Sequence, residues 1–249
     1  MQHGLGKALH KDSLFAEPQS QVVDFAFTDA VADVFPDMIR RSVPGYDAVI
    51  SLLGVIARQY IQADTQVYDL GSSLGASTLS MYQQVRDSSV KFICVDNSSA
   101  MTQRCSKVLQ RHAPNANISI HCDDIQAINI ENASLVVVNF TLQFLPQKQR
   151  LALLKKIANG LHSGGALILS EKLVFADNKQ QQLHTNLHHE FKRANGYSEL
   201  EISQKRSALD NVLIPDTLDE HFNRLKQAGF SQVSQWFQSF NFASILAIK

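Results

Sequence analysis

A glycine-containing turn between two predicted strands constrains this 249-residue chain more than any other feature. Residues 67–76 read VYDLGSSLGA, and residues 92–97, in the next predicted strand, read FICVDN. A strand, a glycine turn, a helix and a second strand ending in an acid form the layout of a nucleoside-binding α/β unit. A bare glycine pattern is a weak signal, and in the simpler interpretation Gly71 and Gly75 only shape the turn.

The residues of this turn favour S-adenosylmethionine over a dinucleotide as the nucleoside. A dinucleotide fingerprint has glycine in the middle of the turn, where the backbone approaches a pyrophosphate. Ser73 holds that position, and S-adenosylmethionine carries no phosphate. Asp69, just before the turn, would place a carboxylate near the methionine end of the ligand. Asp96, at the end of the second strand, would accept hydrogen bonds from both ribose hydroxyls.

Two later strand ends carry polar residues that extend this site. After the third predicted strand, the carboxylate of Asp124 would bind the exocyclic amine of adenine, while the backbone N–H of Ile125 meets a ring nitrogen. A solvated turn cap is the alternative for Asp124. Asn139 interrupts an apolar run at the end of the fourth strand, and its amide needs a hydrogen-bond partner. A ligand would supply that partner, or Asn139 would cap a helix.

Strand and helix patterns alternate along the chain, which predicts a mostly parallel sheet with helices on both faces. We expect an α/β, Rossmann-like S-adenosylmethionine-dependent methyltransferase fold with seven strands, the last antiparallel, and N-terminal helices over residues 29–62, broken near residues 42–46. The expected strands cover residues 66–70, 90–95, 118–122, 134–140, 165–171, 231–237 and 240–248. The expected helices cover residues 75–86, 98–111, 147–160 and 216–228, and Gly164 and Gly165 should end the third of these.

The length and patterning fit one domain. Residues 1–20 carry no periodicity and are expected to form a loose tail, so that residues 21–249 form a single S-adenosylmethionine-binding domain. Residues 178–211 break the alternation, and they are polar and helical in character. An insertion at this point would lie above the carboxyl ends of the strands, on the ligand side. It is either a helical lid or a solvated pair of surface helices.

Charge and cysteine content bear on partners and location. Lys plus Arg equals Asp plus Glu, at 23 each, whereas a protein that binds long nucleic acid usually has a basic excess. Cys94, Cys105 and Cys122 form no CxxC pattern, so we expect buried, reduced thiols in a cytoplasmic protein. The polar N-terminal residues do not suggest a signal peptide, and no apolar run has the length of a membrane span.

Four residues of the predicted insertion are candidates for specific binding. His184 and His188 are four residues apart, with His189 adjacent, a spacing that can bind a metal ion. Because they lack the HExxH arrangement and a third ligand, a solvated helix face is the favoured interpretation, and no metal is expected. Arg206 carries a planar guanidinium suited to a carboxylate, although a surface position is the default for arginine.

Six segments of the chain together resemble the bacterial carboxy-S-adenosyl-L-methionine synthases. The likeness runs from about residue 12 to the end, so the first eleven residues are an extension. The segments are residues 34–39, 41–46, 68–71, 130–134, 139–145 and 191–206. The resemblance implies a methyltransferase fold that converts S-adenosylmethionine, used as a substrate, and prephenate into carboxy-S-adenosylmethionine and phenylpyruvate.

The resemblance also implies a mechanism and partners. Prephenate loses carbon dioxide and its ring hydroxyl as it aromatises, and the departing hydroxide removes a proton from the S-methyl group. The sulfonium ylide then captures the carbon dioxide in a closed, water-poor pocket. The product would supply a separate enzyme that carboxymethylates the tRNA wobble uridine, giving 5-oxyacetyluridine. The resemblance also suggests a homodimer, whereas the expectations of a cytoplasmic protein without membrane contact or direct nucleic-acid binding come from the composition described above.

The ligand contacts that the resemblance implies agree with those proposed from the turn and strand ends. Arg206 would be the buried cation that binds the new carboxylate, and Tyr46 would line the pocket; these two are the candidate catalytic residues. Ser72 stands where the family pattern has cysteine, a change that keeps size and backbone contacts. The implied contacts are Tyr46, Gly71, Ser72, Ser73, Asp96, Asn97, Asp124, Ile125, Asn139 and Arg206.

Two other functions remain open on these residues. An ordinary S-adenosylmethionine-dependent methyltransferase of a small molecule or RNA would share the nucleoside site. The neutral methyl group that it transfers needs no cation, so the position of Arg206 discriminates between the two. A non-catalytic S-adenosylmethionine-binding scaffold would not turn over prephenate.

Overall fold

The computed structural model describes residues 10–249, and one seven-stranded sheet forms its centre. The strands are β1 Gln66–Leu70, β2 Lys91–Asp96, β3 Ile118–Cys122, β4 Ala133–Asn139, β5 Leu161–Lys172, β6 Gln232–Ser239 and β7 Phe242–Ile248. Their order in the sheet is β3-β2-β1-β4-β5-β7-β6. β1 to β5 pair in parallel, and β7 runs antiparallel between β5 and β6. The predicted sheet and its antiparallel last strand are confirmed.

Eight α-helices accompany the sheet in the described part of the chain. They are α1 Asp29–Ser42, α2 Tyr46–Tyr60, α3 Ala76–Gln84, α4 Ser99–His112, α5 Gln147–Gly160, α6 Asn178–Ala194, α7 Glu199–Leu209 and α8 Leu218–Ala228. Local sequence sets several ends, because capping boxes at Ser198 and Thr217 start α7 and α8. Within residues 10–249, none of these helices combines the length and apolar character needed to cross a bilayer.

The sheet is covered on both faces, as central parallel strands require. Side chains alternate along each strand with a period of two, so neighbouring residues of one strand enter different cores. On one face, Leu70 packs in a cluster with Leu154 of α5. On the other, Val67 packs with Leu53 of α2 and Met81 of α3. Helices therefore occupy the faces, and the carboxyl ends of the parallel strands are left for a binding site.

The predicted extent of α5, residues 147–160, is confirmed, but the prediction that Gly164 and Gly165 end this helix is wrong. The helix ends at Gly160 and β5 follows at once, so Gly164 and Gly165 lie within the strand. A Cβ atom at Gly160 would lie 2.2 Å from the carbonyl oxygen of Ile130. Glycine is needed at residue 160 because the end of the helix and the backbone of Ile130 approach closely.

The prediction of buried cysteines holds for two of the three. Cys94 in β2 and Cys105 in α4 are buried free thiols that pack with Leu109. Cys122 is a free thiol but is exposed, because β3 is an edge strand of the sheet and its last residues are open to solvent.

The predicted loose tail needs correction where it is described; residues 1–9 lie outside the described part. Residues 10–20 contain no helix or strand, yet Asp12 is 1% exposed and accepts a hydrogen bond from the Tyr197 hydroxyl at 2.5 Å. The Gln204 side chain donates to the carbonyls of Phe15 and Glu17 at 2.9 and 3.0 Å. These partners are on or next to α7, far along the chain, so local sequence does not reveal them.

Candidate functional site

A cavity of about 990 Å³ opens at the carboxyl ends of the parallel strands. β2 and β3 lie on one side of β1, and β4 and β5 lie on the other, so the chain changes direction across the sheet between β1 and β4. Ligands of open α/β sheets bind in the crevice at such a point. The turn after β1, the ends of β2, β4 and β5, and residues of α1, α6 and α7 line the cavity. The predicted insertion thus covers the ligand side.

The turn after β1 has a conformation that few residues other than glycine adopt. Gly71 has a φ of 82°, and a Cβ atom there would lie 2.1 Å from Oγ1 of Thr141. The next residues bond back to β2, because the N–H groups of Gly71 and Ser72 both donate to the carbonyl of Val95, at 2.8 and 3.0 Å. The turn is therefore fixed against the end of β2, and its residues line the cavity.

Asp96 stands at the end of β2 with both carboxylate oxygens oriented by backbone. Oδ2 accepts from the N–H of Ser73 at 2.9 Å, and Oδ1 accepts from the N–H of Ser98 at 2.9 Å. Burial raises the pKa of this carboxyl. Each oxygen retains a further lone pair, so the group can also accept from a pair of ligand hydroxyls, and it lines the cavity together with Asn97.

Asp124 combines the two interpretations that the sequence leaves open. Its Oδ1 accepts from the N–H of Gln126 at 2.8 Å, as a turn cap does, and the residue is exposed. It also lines the cavity, next to Ile125, which is 6% exposed. A capping carboxylate keeps free lone pairs, so the local bond does not prevent Asp124 from contacting a ligand.

The predicted position of Asp69 at the ligand is wrong. Its side chain is buried and does not line the cavity, and Oδ2 accepts from Thr78 N–H and Oγ1 at 3.1 and 2.7 Å. Burial raises the pKa of Asp69 to about 6, and its other oxygen has no hydrogen-bond partner among residues 10–249. Because β1 side chains alternate between faces, Asp69 holds α3 against the strand instead of facing the ligand.

Two buried polar atoms at the cavity wall have no hydrogen-bond partner among the described residues. They are the hydroxyl of Ser72 and the side-chain oxygen of Asn139. Nδ2 of Asn139 donates a long hydrogen bond of 3.5 Å to the Ser77 hydroxyl, and Asn139 does not cap the short helix that follows β4. Buried polar groups are nearly always paired, so these atoms fit a ligand that carries hydrogen-bond donors, such as the ammonium group of S-adenosylmethionine.

Tyr46 lines the cavity as the sequence predicts, at the first position of α2. Its ring lies 6.4 Å from that of Phe140, measured between centroids. Burial raises the pKa of the Tyr46 hydroxyl, so this group stays protonated and acts as an aromatic wall with a polar tip. Gly45 precedes it with a φ of 78°, which lets the chain turn sharply into α2.

Basic side chains from β5, α6 and α7 line the part of the cavity away from the acids of β2 and β3. They are Lys172, Lys192, Lys205 and Arg206. Nζ of Lys205 lies 3.5 Å from Oδ2 of Asp12. Burial lowers the pKa of Lys205 to about 8 and that of Lys192 to about 7. Only Arg206 among them is predicted as a ligand contact from sequence; for Lys172, a charge at the end of an apolar strand was the available signal.

Arg206 lies at the cavity as predicted, but its side chain is exposed and not buried. Lys205, the residue before Arg206 on α7, faces inward. Adjacent residues of a helix point about 100° apart, so Arg206 cannot face the same way. Arg206 therefore points to the rim, between this cavity and a smaller one on the outer side of α7. From the rim, its charge still contributes to lowering the pKa values of Lys172 and Lys192.

His184 and His188 of α6 do not form the solvated face that the sequence favours. The His184 ring stacks on Phe175 at 4.3 Å between centroids. His188 is buried against Phe242, its Nε2 lies 2.8 Å from the Ser42 carbonyl, and burial lowers its pKa to about 2. Among residues 10–249, no three His, Cys, Asp or Glu side chains gather as metal ligands do.

A buried carboxyl that the sequence does not reveal orders the loop after β4. The oxygens of Glu171 accept from the N–H groups of Leu142 and Gln143, at 2.9 and 2.8 Å. Burial raises the pKa of Glu171 to about 8. Phe140, in the same loop, has a φ of 57°, donates from its N–H to the Ser170 carbonyl at 2.7 Å and lines the cavity.

The strand order, the glycine turn and the carboxylates at the ends of β2 and β3 define the methyltransferase-fold class of S-adenosylmethionine-binding proteins. The family described as "Methyltransferase domain" matches residues 67–165. An O-methyltransferase family protein from Burkholderia thailandensis superposes with a TM-score of 0.62 at 14% identity, over 89% of this chain and 59% of its own. Human N-acetylserotonin methyltransferase, in complex with S-adenosylmethionine, gives 0.58 at 14%, over 89% and 55%. The chain thus spans little more than half of these two structures, and they share its fold.

Sequence relatives specify the family. A carboxy-S-adenosyl-L-methionine synthase from Geobacter sp. (strain M21) is 54% identical over 239 residues, covering 96% of this chain and 98% of the relative. The proteins of the same name from Trichlorobacter lovleyi and Salmonella paratyphi C are 55% and 52% identical, over 96% of this chain and 98% and 97% of theirs. The chain belongs to the carboxy-S-adenosyl-L-methionine synthase family.

Proposed function

We propose that this chain forms carboxy-S-adenosyl-L-methionine from S-adenosylmethionine and prephenate and releases phenylpyruvate. The observation that carries the proposal is a single cavity with acids at one part of its wall and a cluster of lysine and arginine side chains at another. The methyl group on the sulfonium of S-adenosylmethionine carries no negative charge, so an ordinary methyltransferase needs no cation beside it. A product with a new carboxylate needs one, and a planar arginine binds a carboxylate well.

The acidic part of the wall suits S-adenosylmethionine. Asp96 accepts the ribose hydroxyls, and Asp124 with the backbone of Ile125 binds adenine. The unpaired oxygens of Ser72 and Asn139 accept from the ammonium group of the methionine portion. These assignments direct the sulfonium toward the basic part of the cavity, because the nucleoside occupies the ends of β2 and β3.

The chemistry needs no base from the protein. Prephenate loses its ring carboxylate as carbon dioxide while its ring hydroxyl leaves as hydroxide, and the hydroxide takes a proton from the S-methyl group to give water. The ylide carbon then bonds to the carbon dioxide. The protein holds both substrates together, and α6 and α7 cover the cavity and keep water away. Arg206 closes from the rim onto the new carboxylate, and Tyr46 packs beside it.

The test is the mass of the nucleoside formed when the purified protein receives both substrates. A product heavier than S-adenosylmethionine by one carbon dioxide supports the proposal. Arg206→Ala should abolish it and leave S-adenosylmethionine affinity within a few-fold, whereas Arg111→Ala, an exposed arginine on α4, should behave as the parent. If Arg206→Ala loses S-adenosylmethionine affinity as severely as it loses the carboxylated product, the role assigned to Arg206 is contradicted. Accumulation of S-adenosylhomocysteine identifies an ordinary methyltransferase, and binding without turnover identifies a scaffold.

The proposal extends to the setting of the enzyme. We infer that it acts in the bacterial cytoplasm as a homodimer and that a separate enzyme uses its product to carboxymethylate tRNA wobble uridine. Equal numbers of basic and acidic residues, 23 each, support a small-molecule substrate over direct binding of tRNA. Sedimentation of the purified protein tests the homodimer, and sedimentation in the presence of tRNA tests whether the protein binds tRNA directly.

A further inference from the structure

A buried lysine without a counter-ion faces the cavity from α6. Lys192 is 7% exposed, and its ammonium makes no hydrogen bond or ion pair with any residue from 10 to 249. Lys172, at the carboxyl end of β5, lines the same cavity and is likewise unpaired among these residues. A charge taken from water without a partner is costly, so natural proteins rarely keep one unless a ligand completes it.

The surroundings of Lys192 are more positive than negative. Burial is the main cause that lowers its pKa to about 7, followed by the charges of Lys205, Lys172 and Arg206. Asp12 pairs with Lys205 and makes no ion pair with Lys192 or Lys172. Asp210 also lines the cavity and its negative charge acts on Lys172, but it makes no ion pair with either lysine. An anion entering this end of the cavity would therefore meet two ammonium groups that have no ion-pair partner among the described residues.

We propose that Lys192, assisted by Lys172, binds the 2-oxo-acid carboxylate of the second substrate and of its aromatic product. This inference rests on the proposed function and adds to it the site of the second substrate. It assigns Lys192 and Lys172 to substrate binding, apart from Arg206, which receives the carboxylate of the nucleoside product.

The reaction chemistry decides which of the two prephenate carboxylates the lysines hold. The ring carboxylate must release its carbon–carbon electron pair into the ring as carbon dioxide departs. A cation paired with it would stabilise the ground state more than the transition state and slow that step. The 2-oxo-acid carboxylate keeps its charge from substrate to product, so an ammonium group there orients the ring without opposing the reaction.

The decisive measurement is calorimetric binding of phenylpyruvate to the protein saturated with S-adenosylmethionine. Lys192→Met should weaken phenylpyruvate about 10- to 100-fold, the usual worth of a hydrogen bond to a charged group, and leave S-adenosylmethionine affinity unchanged. In turnover it should raise KM for prephenate far more than it lowers kcat. The melting temperature of unliganded Lys192→Met should be at least that of the parent, because an unpaired buried charge is removed.

Two further variants keep the test decisive. Lys179→Met makes the same change at an exposed position of α6 and should alter none of these values. Lys172→Met should weaken the binding of phenylpyruvate as well, and it provides the test if Lys192→Met fails to fold. The inference is overturned if both cavity variants bind phenylpyruvate as tightly as the parent does. It is also overturned if their affinity for S-adenosylmethionine falls by the same factor as their affinity for phenylpyruvate.

Failure of the proposed function has a different signature. A parent protein that binds phenylpyruvate through Lys192 but forms no carboxylated product from prephenate would refute the proposed reaction and leave the 2-oxo-acid site standing. A parent that forms the product, while its lysine variants bind phenylpyruvate unchanged, would refute only the site.

Discussion

Replacing Gly71 with alanine tests how the nucleoside turn is built. A residue with a side chain at a φ of 82° costs about 1–2 kcal/mol of conformational strain. The new Cβ would also lie 2.1, 2.4 and 2.8 Å from three side-chain atoms of Thr141, and overpacking of this kind costs about 1–3 kcal/mol. The expected loss is therefore about 2–5 kcal/mol of unfolding free energy, a large part of the stability of an ordinary domain.

Urea unfolding followed by circular dichroism measures this loss, and calorimetry measures the accompanying loss of S-adenosylmethionine affinity. Gly164→Ala is the matched control, because Gly164 has a φ of 76° but no atom within 4 Å of the new Cβ. It should show only the strain, about 1–2 kcal/mol. Adding Thr141→Gly to Gly71→Ala should recover the steric part, about 1–3 kcal/mol. Equal losses in the two alanine variants, or no recovery in the double variant, would refute the reasoning.

Two further predictions concern buried charges. Burial raises the pKa of Asp69 from 3.8 to about 6, so the folded state holds this proton more tightly and the associated stability, complete at low pH, is lost as the pH rises through 6. The unfolding free energy of Asp69→Asn should therefore exceed that of the parent by up to about 3 kcal/mol at neutral pH and by almost nothing near pH 3, below the ordinary pKa of 3.8. Urea midpoints that differ by the same amount at both pH values would contradict this. The fully buried Arg150 forms an ion pair with Asp216 at 2.5 Å. Arg150→Met should lower the free energy of unfolding by about 3–5 kcal/mol, because it leaves a buried carboxylate without this partner. Arg224→Met leaves that bond in place and should cost clearly less in thermal unfolding, so equal losses would count against the assignment.

The helices and strands follow from the sequence because their signals are local. The break between α1 and α2 lies where Pro44 and Gly45 predict it, and the seven strands lie within a few residues of their expected ranges. The glycines assigned to the end of α5 are the exception. The helix ends at residue 160 as expected, but Gly164 and Gly165 lie within β5. The contact that requires a glycine is the one between Gly160 and the Ile130 carbonyl, and local glycine spacing carries no information about it.

The binding site is predictable where it depends on strand ends. Carboxyl ends of parallel strands meet at one edge of the sheet, so the sequence pattern is enough to group Asp96, Asp124 and Asn139. Asp69 breaks the rule because it precedes the end of β1 and faces the core. Whether a side chain near a strand end faces the ligand depends on the pleat and on α3, which the motif does not encode.

The sequence by itself determined the parallel sheet, the glycine turn and the acids that surround the nucleoside, because each depends on periodicity or on spacing within one strand–turn–helix unit. Only the tertiary structure decided that Asp12 is anchored to Tyr197, that Arg206 lies at the rim and that Lys192 is buried without a counter-ion among the described residues. Burial and the choice of an ion-pair partner depend on residues far apart in the chain, and they take effect only when the fold brings those residues together.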